Sequence, residues 1–311
     1  MPNKKTIRSI LFLLGVGFIP FLLWHSRDVL ANHIANISWG ILIVSILLAL
    51  LNNVIASLLY FQLLKKYGTQ IDYPTVCEMF FYAQITKYIP GKIWSLWYQS
   101  AHLTHQHAFT SILFVNVDLT LIIIVLVSAV SLGLLFININ MWWLAIAVII
   151  ISIFISNKLL FSCKTFAILK KIIHYLKRLG VKECTCIPIH HNINSMLYTF
   201  VFSISYASAY ILMLYAIFNL NLDTAFNYAG YLGLSWIIGI LVFITPGGMG
   251  VRELFFILLA KYLDADISLE LLAAIAAISR VWLIMIEISG ILLIVTWRYY
   301  NSSIKIRKDK L

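Results

Sequence analysis

The chain has 311 residues, of which 62% are hydrophobic and only 11% charged, with a mean hydropathy of +0.94. Ordinary soluble domains carry about 25% charged residues, so a soluble globular fold is excluded and an integral membrane protein is implied. The net charge of +11 is carried mainly between apolar runs, and no nucleic-acid partner and no cofactor is expected.

The first apolar run, "ILFLLGVGFIPFLLW" (Ile10 to Trp24), follows Lys4, Lys5 and Arg8. It resembles a signal peptide, but no small-x-small cleavage site follows and further spans do, so it reads as an uncleaved first helix. Pro20 kinks it, which neighbouring helices in a bundle tolerate. Apolar runs of about 18 residues or more are long enough to cross a bilayer. Six full spans are expected, at about 7–25, 39–64, 110–136, 141–157, 195–219 and 268–298. Two further apolar regions, about 75–103 and about 226–264, are interrupted by Pro and Gly. The fold class is all-α, a polytopic transmembrane helical bundle forming a single membrane domain over 1–311.

The basic residues orient it, because Lys and Arg concentrate on the cytoplasmic side. Lys4, Lys5 and Arg8 precede the first span, and Lys65 and Lys66 follow the second. Lys158, Lys164, Lys170, Lys171, Lys177, Arg178 and Lys182 follow the fourth, and Arg298, Lys305, Arg307, Lys308 and Lys310 close the chain. These 17 of the 23 Lys and Arg fall on one side if the six spans cross and the two broken regions enter and return. Both termini are then cytoplasmic, in a cell (inner) membrane. The first broken region enters from the cytoplasm and the second from outside. Repeat one (about 39–136) and repeat two (about 195–298) become an inverted pair joined by a basic loop (about 158–194). Inverted repeats with Gly/Pro-broken segments at matching positions point to a transporter's substrate site. The second region is the harder to fit, since 226–244 makes about 28 Å of helix.

The breaks carry the chemistry. In "ITPGGMGVRE" (Ile244 to Glu253), Pro246 ends a helix, and Gly247, Gly248 and Gly250 allow positive φ and close approach. The helix restarting near Val251 offers N–H groups and a partial positive charge to an anion. Arg252 adds a full charge suited to phosphate. Glu253 can cap that helix, pair with Arg252 or Arg280, or carry a proton. In "TKYIPGKIW" (Thr86 to Trp94), Lys87 and Lys92 flank Tyr88, Pro90 and Gly91, with Trp94, Trp97 and Tyr98 nearby. Cations at membrane depth are functional candidates by default, although each lysine can also snorkel to an interface. Arg280 and Glu287 share one face of the last span, and Asp118 in the third span is the acidic counterpart in the other repeat. A purely structural charge cluster is the competing reading. Asn52 and Asn53 read as glue between helices.

Other signals are weaker. "HLTHQH" (His102, His105, His107) and "CTCIPIHH" (Cys184, Cys186, His190, His191) lack firm zinc spacing. Asp264 and Asp266 resemble the acidic pair of a metal-dependent sugar transferase, without an external loop to build a sugar site. "LKKIIHYLKRL" (Leu169 to Leu179) is a basic amphipathic helix, so the 158–182 segment is expected to lie on the anionic cytoplasmic leaflet. Cys77, Cys163, Cys184 and Cys186 form no disulfide framework, and the last three, in a cytoplasmic loop, are expected to be reduced. There is no nucleotide-binding glycine loop and no Ser-His-Asp arrangement.

The motifs Pro246-Gly247-Gly248-Met249-Gly250-Val251-Arg252-Glu253 and Tyr88-Ile89-Pro90-Gly91 resemble the P-G-G-x-G-x-x-E and Y-x-P-G motifs of one family. It comprises the transmembrane region of lysylphosphatidylglycerol synthases and related stand-alone flippase-like proteins, and the likeness covers nearly the whole span pattern. Lys92 and Ile93 depart from it, standing where many members have small residues and glycines. No segment reads as the aminoacyl-transferase domain of the full synthases, so lysyl transfer is not carried over and an enzyme is not expected. The resemblance implies binding and translocation of an anionic lipid, either a phospholipid or a polyprenyl-phosphate-linked glycolipid. It also implies glycan or lipid biosynthesis enzymes as partners. The expected headgroup ligands are Lys87, Tyr88, Pro90, Gly91, Lys92, Pro246, Gly247, Gly248, Gly250, Arg252 and Arg280. Glu253, Glu287 and Asp118 are expected to balance charge or couple protons, and no metal is expected. The alternatives are an intramembrane enzyme acting on a lipid-linked sugar through Glu253, Asp264 or Asp266, and a non-transporting scaffold of a polysaccharide pathway.

Overall fold

The computed structural model describes residues 17–88, 94–103, 108–163, 186–187, 193–242, 246–264 and 267–308. Among these the chain is all-helical. A first helical stretch over 17–25 (α1) is followed by α2 (Arg27–Ile34), α3 (Trp39–Lys66), α4 (Tyr73–Thr86), α5 (Trp94–Ala101) and α6 (Ala108–Asn138). Then come α7 (Trp142–Phe161), α8 (Ile193–Phe218), α9 (Leu222–Leu241), a 3-10 turn (Pro246–Gly248), α10 (Val251–Leu263) and α11 (Leu269–Lys308).

Among the described residues six helices are long and apolar enough to cross a membrane: α3, α6, α7, α8, α9 and α11. Five match the expected spans to within a few residues. The expected first span lies partly outside the described residues, where only 17–25 is seen as helix. The sixth long helix is α9, which begins four residues before the expected edge of the broken region because Asn221 caps it, accepting from the Thr224 N–H at 2.9 Å. Asp72 caps α4 in the same way with Pro74 in the first turn, and the Thr75 hydroxyl holds its carboxyl below the usual carboxylate range.

The core is organised by α3 against α8. Ser38 N–H donates to Ala216 O at 3.0 Å, Ser45 Oγ to Ala209 O at 2.8 Å, and Asn52 Nδ2 to Phe202 O at 2.9 Å. The rungs step seven residues up one helix and seven down the other, so α3 and α8 are antiparallel. Asn52 also reaches Ser205 and is the interhelical glue expected of it. Two further pairings cross between the halves: α4 rests on α11, and α9 rests on α6.

Both broken regions fold back on themselves. Tyr82 of α4 faces Tyr98 of α5 with ring centroids 6.1 Å apart, and Tyr98 feels the charges of Glu78 and Arg298 near the start of α4. In the second region Tyr228 of α9 meets Phe256 of α10 at 6.1 Å, while Asp264, just past the end of α10, lies near Tyr231.

Two expectations about single residues are corrected. Lys66, counted among the loop cations, is fully buried: its Nζ donates to Asp118 Oδ2 at 2.6 Å and to Leu159 O at 3.0 Å. Cys163 and Cys186, expected as free thiols, are joined by a disulfide, because the segment at 186–187 returns to α3, where Ile187 N–H donates to Lys66 O at 2.9 Å. Cys184, His105, His107, His190, His191, Asp266 and the 169–179 segment lie outside the described residues. Among the described ones no cluster of His, Cys, Asp and Glu could hold a metal.

Candidate functional site

The two breaks are far apart in sequence and meet in space. The first break is described up to Tyr88; Pro90, Gly91 and Lys92 lie outside the described residues. The second forms the turn Pro246–Gly248, with positive φ at Gly247 (59°), Gly248 (71°) and Gly250 (82°). These values are left-handed backbone, which an L side chain resists. Gly248 has a second constraint: a Cβ there would come within 2.8 Å of Gly239 O on α9. Gly247 lies against the Tyr88 ring, where a Cβ would sit 3.4 Å from Cε1.

The last long helix clamps this junction from one side. Arg280 donates from Nη2 to Gly247 O at 2.9 Å, and its guanidinium carbon lies 5.4 Å from the Tyr88 ring centroid. One side chain therefore holds the bent backbone of the second break and stacks on the last described residue of the first. Two turns further along α11, Glu287 pairs with Lys87, which also reaches Gln84 Oε1 at 3.3 Å. Lys87 lies 5.3 Å from the same Tyr88 ring.

Glu253 settles into a role narrower than the sequence left open. Its Oε2 accepts from Gly250 N–H at 2.7 Å, and its Oε1 lies 4.0 Å from Arg280 Nε. The positive end of α10, expected to face an anionic ligand, is thus met by the protein's own carboxylate. Arg252 is displaced from that end. It is only 3% exposed and donates from Nη2 to the Tyr210 hydroxyl at 3.3 Å. Tyr210 is itself boxed by Tyr206 (4.9 Å) and Trp282 (5.1 Å).

Electrostatically the cluster holds three described cations, Lys87, Arg252 and Arg280, against two carboxylates, Glu253 and Glu287. Arg280, Glu253 and Glu287 are buried along with Arg252. Several buried polar atoms have no hydrogen-bond partner among the described residues: Arg252 Nη1, Arg280 Nε, Tyr88 OH, Glu253 Oε1 and Glu287 Oε2. Buried polar groups are ordinarily satisfied, so these atoms are the cluster's unmet hydrogen-bonding capacity.

Asp118 is not part of this cluster. It is fully buried in its pair with Lys66 and accepts from the Tyr67 hydroxyl at 2.8 Å. Sequence reasoning missed Tyr210, Gln84 and Gly239, which touch the expected residues directly. The i, i+4 tyrosines at 206 and 210 on an apolar span were the available signal; nothing in the sequence singles out Gln84 or Gly239.

The family model described as lysylphosphatidylglycerol synthase TM region matches residues 9–290. The chain belongs to this family. The match to the synthase family is to its membrane region alone, and it takes in both breaks and the Arg280 and Glu287 positions of α11. No curated protein matches the chain.

Proposed function

We propose that this member of the family binds an anionic lipid headgroup where its two breaks meet and moves that lipid across the bilayer. The observation that carries the reading is the junction itself: Arg280 holds Gly247 O and stacks on Tyr88, with unsatisfied donors on Arg252 and Arg280 beside it. A non-helical turn at membrane depth is tolerated where it is buried in protein or lines a wet cavity.

Depth supports it. Arg280 and Glu287 straddle the middle of the Leu269–Arg298 stretch of α11, each about 16 Å from one end at 1.5 Å per residue. We read two hairpins that bend back at this level as re-entrant, which requires α9, long enough to cross, to lie steeply tilted; the antiparallel α3 and α8 that begin the two halves fit an inverted repeat. The charge asymmetry then gives cytoplasmic termini in an inner membrane. Phosphate is a group that matches guanidinium and ammonium donors, and the proposal extends to Lys92, which lies outside the described residues. Glu253 holds Arg280 and Glu287 holds Lys87 in place.

The reading is tested by native mass spectrometry of gently extracted protein. An anionic phospholipid or polyprenyl phosphate should co-purify and be lost from Arg252→Ala. Protein that carries only zwitterionic lipid, or that keeps the anionic lipid after Arg252→Ala, would contradict it.

A further inference from the structure

A second lipid contact is built away from the junction. α3, α4 and α11 enclose a groove of about 340 Å3. Val54 forms one wall, Tyr73, Cys77 and Phe81 a second, and Leu293 and Trp297 a third. Gly290 admits the Phe81 ring, which closes the deep end: a Cβ at 290 would overlap it. Beyond the opposite end, past Tyr73 and Trp297, stand two cations that do not themselves line the groove. Arg298, whose side chain is 68% exposed, stands next to Trp297 and is held by Glu78 at 2.5 Å. Lys65 is exposed, with its Nζ 4.0 Å from the Phe61 ring centroid, and Phe61 packs edge-on against Tyr73 at 5.6 Å.

An apolar slot with a cationic mouth fits an amphiphile with an anionic head. Exposed Trp297, Tyr299 and Tyr300 set that mouth at the level where aromatic residues gather, the membrane–water interface. We infer that the groove seats an acyl chain of an anionic phospholipid from the adjacent leaflet, with its phosphate between Arg298 and Lys65. Glu78 holds Arg298 over the mouth until the phosphate arrives and competes for it. This seat is distinct from the junction of the breaks and stands whether or not that junction moves lipid.

The test is photo-crosslinking of the full chain in nanodiscs, with phosphatidylglycerol bearing a diazirine on one acyl chain and phosphatidylcholine with the same tail. Adducts should map to the α4 and α11 peptides that contain Cys77 and Trp297. The anionic lipid should label them about fivefold more, the equivalent of ~1 kcal/mol for a basic side chain near lipid charge. Arg298→Ala should abolish the preference and Arg298→Lys retain it. Val54→Trp should block labelling in a variant that keeps its elution profile. Equal labelling by both lipids, adducts confined to other helices, or labelling untouched by Val54→Trp would each overturn the proposal. Transbilayer movement measured on the same samples separates the two readings: its absence bears on the junction, and the adduct map bears on the groove.

Discussion

At the residue scale, the glycines and the buried charges make separable demands. Gly248 sits at φ 71° with Gly239 backbone atoms at 2.8–3.0 Å from a notional Cβ. Gly248→Ala should therefore destabilise the protein by about 1–3 kcal/mol and lower its melting temperature in detergent. Gly40→Ala, where a Cβ meets nothing within 4 Å, should leave the melt in place. The Lys66–Asp118 pair predicts a different pattern. Removing one partner strands a buried charge, at a cost of about 3–5 kcal/mol, so Asp118→Asn should be strongly destabilised. Lys66→Met combined with Asp118→Leu should recover much of that loss, as thermal unfolding of the single and double variants would show. Lipid retention should survive in the double variant, because Asp118 lies outside the cluster at the breaks. The sequence showed Lys66 as a loop cation because nothing local reveals a partner 52 positions away.

At the element scale, α4 and α11 run antiparallel through three rungs: Glu78 with Arg298, Phe81 with Gly290, and Lys87 with Glu287. The middle rung is a fit of large to small, and it sets how deeply α4 enters. Gly290→Leu should push α4 off α11, and adding Phe81→Ala should restore part of the lost stability; a double-mutant cycle on melting temperature reads the coupling. Helix caps act more weakly. Asn221→Ala removes the bond that starts α9 and should cost about 1 kcal/mol, without affecting lipid retention. The long helices were legible in the sequence because apolar length is a direct signal of a span. α9 was the least legible: its Asn221 start was overlooked, and it ends at Leu241, before the Pro246 that was expected to end it.

At the scale of the whole molecule, the two breaks were legible as Pro/Gly interruptions with cations beside them, and the family match spans both. Their meeting was not, since it depends on Arg280 reaching Gly247 while lying over Tyr88. Glu253 capping its own helix was one of several options in the sequence, and only geometry selects it. The Cys163–Cys186 bond was illegible for a similar reason: the return of the 186–187 segment to the end of α3 brings the sulfurs together. As proposed, this convergence is a transbilayer path for an anionic lipid. The direct measurement is the movement of a headgroup-labelled anionic lipid between leaflets of vesicles containing the purified protein. Wild type should accelerate it over protein-free vesicles, while Arg252→Ala and Lys92→Ala should insert normally and abolish the acceleration. Wild-type rates in both variants would contradict the account.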